Sequence, residues 1–113
     1  MLRVLTISLA VLLAGCASPF VGRWRSTTLE SGHVPDDATS MTMVIHKDHT
    51  FAAFFENERG ATVGGYNGTW TKNAKSQIVL KTSNGPEGTA QLLDKTTLLT
   101  TANGSSFKLL RTK

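Results

Sequence analysis

Residues 40–56 read Ser-Met-Thr-Met-Val-Ile-His-Lys-Asp-His-Thr-Phe-Ala-Ala-Phe-Phe-Glu. Two alternating runs flank a polar break at Lys47-Asp48-His49. Met41, Met43 and Ile45 share one face of the first run, and Phe51, Ala53 and Phe55 share one face of the second. A period of two puts alternate side chains on one side of an extended chain, so the stretch predicts two antiparallel strands with a common apolar face. His49 falls in a turn slot where Gly or Asn is usual, and His tolerates left-handed backbone better than most residues.

The same rhythm continues outward. Together with 40–46 and 50–56, alternating runs at 21–28, 61–72, 77–83, 88–93, 96–101 and 105–112 are separated by turn residues: Asn57 to Gly60, Asn73 to Lys75, Asn84-Gly85-Pro86, Asp94-Lys95 and Asn103-Gly104. Asn-Gly supplies the positive φ angles of a tight hairpin turn, so Asn103-Gly104 is the clearest hairpin signal. Trp24 and Ser26 face inward with Gly22 while Arg23 and Arg25 point away. Tyr66, Gly68 and Trp70 line one side, as do Ile78 with Leu80 and Phe107 with Leu109. Gly64-Gly65 marks a bulge or a sharp bend. No helical stripe exceeds two turns. The pattern predicts an all-β domain, an up-and-down antiparallel barrel of about eight strands, because closure removes the edges a flat sheet would expose. One connection differs: Leu29 to Thr39 is long and polar, a length often tied to function.

The chain begins differently. Arg3 precedes an apolar stretch from Val4 to Ala14, broken only by Thr6 and Ser8, and Gly15-Cys16 follow. This is the layout of a secretory signal, about half the length needed to span a bilayer core. Leu13-Ala14-Gly15-Cys16 resembles the bacterial lipobox. The resemblance implies that residues 1–15 are removed, that the Cys16 thiol takes up a diacylglyceryl group, and that residues 16–20 form a lipidated cysteine and short tether ahead of a barrel domain at 21–113. Cys16 is the only cysteine, so no intramolecular disulfide forms, and attachment to the membrane rests on acyl chains. Ala17, where an aspartate would favour inner-membrane retention, implies by the same resemblance an outer-membrane location facing the periplasm.

Of the twelve Lys and Arg in the chain, Arg3 leaves with the signal, so eleven remain against eight Asp and Glu. They are scattered singly and suit an anionic leaflet. A nucleic-acid surface would need a basic stripe interleaved with aromatics, and none is written here.

Gly22-Arg23-Trp24 on the first strand, the long first loop, the meander and Arg111 on the last strand resemble the lipocalin-like pattern. That resemblance places Trp24 at the closed end of the barrel with Arg111 packed over it, a structural cation–π contact. It also implies a small apolar or amphipathic ligand at the mouth, walled by Trp70, Tyr66, Phe55 and Met43. The chain is much shorter than a typical lipocalin and has no equivalent of the family's Thr-Asp-Tyr segment. Strands of six to eight residues make a barrel filled by its own side chains the alternative. Such a domain would be an interaction module, acting through its loops on another envelope protein or inhibiting a foreign hydrolase.

Chemistry-bearing constellations are sparse. His46 and His49 sit across a turn, and His33, Asp36 and Asp37 would join them as metal ligands only if the first loop folded over that hairpin. Asp36-Asp37 and Glu56-Glu58 read as surface charge. No nucleophile stands next to an oriented base. The sequence therefore predicts a non-enzymatic domain with no catalytic residue, no cofactor and no metal.

Overall fold

The computed structural model describes residues 18–26, 38–83, 85–102 and 104–112. The signal at 1–15, Cys16, Asn103 and all of the first loop except Ala38 and Thr39 lie outside the described residues.

Eight strands follow one another: β1 (Gly22–Ser26), β2 (Ser40–Ile45), β3 (Thr50–Glu56), β4 (Thr62–Ala74), β5 (Gln77–Thr82), β6 (Gly88–Asp94), β7 (Thr97–Ala102) and β8 (Ser105–Thr112). Each pairs antiparallel with its neighbours, and β8 returns to β1 to close an all-β barrel. The expected meander is thus the observed one. The hairpin that decides the fold has Met41 opposite Phe55, Met43 opposite Ala53 and Ile45 opposite Phe51, so the apolar faces of its two runs coincide.

Alternation sorts the side chains. Trp24, Met43, Ile45, Ile78, Leu98 and Leu109 are fully or almost fully buried inside, while Arg23, Arg25, Lys81 and Lys108 stand exposed on the outer wall. A barrel that crosses a bilayer carries its apolar band outside and its polar groups within; this one is built the opposite way. Among the described residues no helix is long and apolar enough to cross a membrane. The buried apolar cluster runs from Phe20 to Leu109 and β1 pairs with β8, so the barrel's core and its closing seam are contained within one continuous stretch of chain.

The turns divide the barrel into two ends. At one end lie the Ser18–Val21 entry, the β2–β3 turn at 46–49, the β4–β5 turn at Lys75-Ser76 and the β6–β7 turn at Lys95-Thr96. The other, open end carries the connections β1–β2, β3–β4, β5–β6 and β7–β8. Short polar side chains hold these turns. Asp48 Oδ1 accepts from the Thr50 hydroxyl at 2.6 Å and the Thr50 N–H at 3.1 Å, contacts that hold its carboxyl below the usual aspartate value. The N–H of Thr96 does the same for Asp94 at 2.9 Å. Asn57 Oδ1 accepts from the N–H groups of Arg59 and Ala61 at the open end. His49 adopts φ 73°, the left-handed turn position its place in the sequence suggests, and Gly104 adopts φ 82° at the hairpin expected there.

Bulges account for the differences from the expected boundaries. β4 continues to Ala74, because Lys72 faces Ile78 and Ala74 faces Gln77, leaving Asn73 as the extra residue. Leu93 is extra in the same way between Leu92 and Asp94, and β7 begins at Thr97. In the glycine-rich part of β4 the bulge falls on Val63, just before Gly64-Gly65. An extra residue bends and twists its strand, which lets the long β4 wrap the barrel.

Gly68 is where the wall is tightest. A Cβ built there would lie 1.9 Å from the carbonyl oxygen of Lys81, on the backbone of the paired strand, which cannot swing aside like a side chain. We expect Gly68→Ala to lower stability by about 3 kcal/mol, the upper range for overpacking, read as a drop in the urea midpoint; an unchanged midpoint would mean that β4 and β5 do not approach as closely as this.

Candidate functional site

Side chains fill the barrel unevenly along its axis. Towards the open end Met41, Met43, Phe51, Tyr66, Leu80 and Phe107 enclose a cavity of about 60 Å³. Its wall is almost wholly apolar. Tyr66, Thr82 and Thr100 are the hydroxyl-bearing side chains in that wall; Thr100 donates to the carbonyl of Thr89 at 3.1 Å, so its polar atom is satisfied within the sheet.

Gly85 and Pro86, between β5 and β6, roof this space. Thr82 Oγ1 accepts from the N–H of Gly85 at 2.9 Å and donates to the carbonyl of Pro86 at 3.0 Å, folding the connection back over the mouth. Gly85 then lies flat on Tyr66, where an added Cβ would come within 2.8 Å of the ring. Tyr66 itself is 37% exposed, with one side against the cavity and the other at the rim. Phe55 meets Tyr66 edge-on at 6.3 Å and Phe107 at 6.4 Å, geometries that aromatic quadrupoles favour.

Of the four residues read from the sequence as a ligand wall, Met43 and Tyr66 line the cavity and Phe55 packs against two of its rings. Trp70 does not join them. Its indole Nε1–H donates to the His46 carbonyl at 2.8 Å, and its ring stacks on His49 with centroids 4.2 Å apart and planes 4° apart. The period-two pattern correctly gives Trp70 and Tyr66 the same face, but four residues separate them by about 13 Å along the strand. Trp70 therefore plugs the end opposite the mouth. Phe107, Leu80, Thr82 and Pro86 were missed as cavity residues. A signal was present in Asn84-Gly85-Pro86, a break too long for a two-residue hairpin.

At the closed end, Arg111 lies over Trp24 with its guanidinium carbon 4.2 Å from the ring centroid. The same guanidinium donates to the carbonyls of Val21 at 3.0 Å, Pro19 at 2.5 Å and Lys95 at 3.2 Å. Trp24 Nε1–H donates to the Phe20 carbonyl at 3.0 Å, and Phe20 is fully buried. Gly22 is required here twice over: its φ is +145°, and a Cβ would sit 2.7 Å from Arg111 Nη1. The Gly-x-Trp spacing thus has a local physical cause, with glycine making room for the arginine that covers the tryptophan two residues on.

The polar clusters have structural partners. His49 Nδ1–H is directed at the carbonyl of Trp70 at 3.1 Å. Glu56 pairs with Arg25 at 2.9 Å, and Arg25 also reaches Thr42 and Ser40, a strut across the outer wall where the first loop departs. Among the described residues no group of three His, Cys, Asp or Glu side chains could hold a metal ion. His33, Asp36 and Asp37 lie outside them.

Comparison with protein-family models, with curated proteins and with solved structures finds no match to this chain. The function of the domain is therefore read from its own residues and their geometry.

Arg111 is the residue whose loss tests the closed end. Arg111→Lys keeps the charge but removes the planar stack and the fork to three carbonyls, so we expect it to cost about 2 kcal/mol. A double-mutant cycle with Trp24→Leu should show a coupling of about 1 to 2 kcal/mol in urea unfolding. Additive losses would mean that the two side chains merely lie near each other.

Proposed function

We propose that this chain is the precursor of a lipid-anchored envelope protein, carried by Cys16 at the outer membrane, whose non-catalytic barrel acts as a filled scaffold presenting its open-end loops to a protein partner. The observation that carries the reading is the size of the cavity. Small-molecule sites commonly enclose roughly 300 to 1,000 Å³, whereas the cavity that the described residues enclose inside this barrel is about 60 Å³. Large side chains occupy the rest of the interior, and the Gly85-Pro86 segment roofs what remains. Surface is then what the domain has to offer, and the open end carries the longest connection in the chain. The partner is another envelope protein or a foreign hydrolase inhibited by loop insertion.

Deleting part of the 29–39 segment tests this. The intact lipoprotein should retain at least one envelope protein in a pull-down, and the shortened form, with an unchanged thermal midpoint, should lose it. Retention of the same set by both forms would rule out the loop-mediated reading.

The apolar lining and the half-exposed Tyr66 favour a second reading, capture of a small apolar or amphipathic molecule, or the tip of one, beneath the 85–86 roof. Ala102 lines the cavity, and Ala102→Leu should fill it. On the second reading, native mass spectrometry of the protein as it leaves the cell shows a bound small molecule that this variant lacks. A clean apo mass for the wild type, unchanged after exposure to a lipid mixture, would leave the first reading standing alone.

A further inference from the structure

We infer that the closed end of the barrel is a docking face for an anionic phospholipid leaflet, so that the domain stands on the membrane with its open end turned away. The inference builds on the lipid-anchor reading of Cys16 and adds a surface and an orientation to it.

Two independent features converge on this end. The fold takes hold of the chain almost at once: Ser18 accepts from the N–H groups of Val21, through its carbonyl at 3.1 Å, and Phe20, through its hydroxyl at 3.2 Å, and Arg111 fastens Pro19 and Val21. Only Ala17 separates Ser18 from Cys16, a reach of about 7 Å even when fully extended. An acyl anchor on Cys16 therefore leaves no slack for the barrel to tumble, and whatever surrounds the Ser18 entry is held against the headgroups.

The charges are arranged to match. Lys47, Lys75 and Lys95 sit on the three turns of this end, with Lys72 near the end of β4 and Arg23 one residue into β1, all exposed. Among the described residues the carboxylates at this end are Asp48 and Asp94, each already engaged by a threonine. The described ion pair is Arg25–Glu56, so none of the five cations is neutralised by a carboxylate among the described residues. At the open end Glu56, Glu58 and Glu87 stand against Arg25, Arg59 and Lys81, so the described residues there carry no excess of positive charge. Beside the Lys95 turn, Leu93 and Leu110 are 48% and 56% exposed. Leu110 faces Thr97 in the register and Leu93 is the bulged residue next to Asp94. Exposed leucines among lysines are the composition of a surface that settles into a headgroup layer.

The test uses residues 17–113, which contain the barrel's core and its closing seam, so that membrane affinity is measured without the acyl chains. We expect co-sedimentation with vesicles of phosphatidylcholine containing roughly one third phosphatidylglycerol to be at least about tenfold stronger than with phosphatidylcholine alone, and to weaken as salt is added. Lys47→Glu, Lys75→Glu and Lys95→Glu combined should remove the preference. Arg59→Glu, Lys81→Glu and Lys108→Glu combined change the net charge equally at other places and should leave most of it. Equal losses from both sets, or no preference for the anionic vesicles, would overturn the inference. Failure of the anchor reading is seen separately, as a mature full chain whose mass carries no acyl group on Cys16.

Discussion

The seam that closes the barrel, the β1–β8 ladder, is braced by one contact, the guanidinium of Arg111 laid over the indole of Trp24. β1 is only five residues long, and its pairing with β8 spans three register positions, which is a short seam for closing a sheet. Arg111 reinforces it by binding the chain before β1 and the β6–β7 turn at once, so a single planar cation ties the entry, the last strand and a neighbouring turn to the same ring. The stack is worth about 0.5 to 2 kcal/mol by itself. Its larger effect is to hold Phe20 and Trp24 as the floor of the core, and Gly22 is the space that makes this arrangement available.

From that floor upward, the interior is a matter of volume. Ile45, Trp70, Ile78, Leu98 and Leu109 are buried in the barrel, and the Trp70 indole finds its acceptor in a turn carbonyl, as a buried polar group must. Towards the mouth, glycine and alanine replace bulk on β4, β6 and β7 at Gly68, Gly88 and Ala102, and the wall there is shaped by Phe55, Tyr66 and Phe107. A cavity remains because these rings meet edge to edge and do not interdigitate further. The chemistry of that space is apolar and its size is small, which is why the proposed function is placed on the outer surface.

Much of this architecture was legible in the sequence because period two is a strong local signal. Met41, Met43 and Ile45 against Phe51, Ala53 and Phe55 gave a face and a partner, and Asn103-Gly104 with His49 gave turns whose backbone needs are specific. Bulges at Asn73 and Leu93 were not legible, since one extra residue alters the ladder without altering composition. Position along the barrel axis was hidden for a related reason: alternation tells which way Trp70 points but not which end it occupies, and that emerges only once the turn at 46–49 is folded over it. The pairing of Trp24 with Arg111 could be named through family resemblance, while the reason for Gly22 needed the φ angle and the clash distance.

Two differently built ends result, one floored by aromatics and carrying an excess of lysines, the other roofed by a loop and carrying charges of both signs. A Trp24–Arg111 floor that braces the seam should open only when the whole barrel does. Native-state hydrogen exchange of the Trp24 indole N–H, followed across sub-denaturing urea, tests this most directly. We expect this proton to exchange with the free energy and urea dependence of global unfolding. Exchange through a low-energy opening with little urea dependence, like that of a fraying terminus, would contradict it and would mean that the barrel is held shut by something other than this contact.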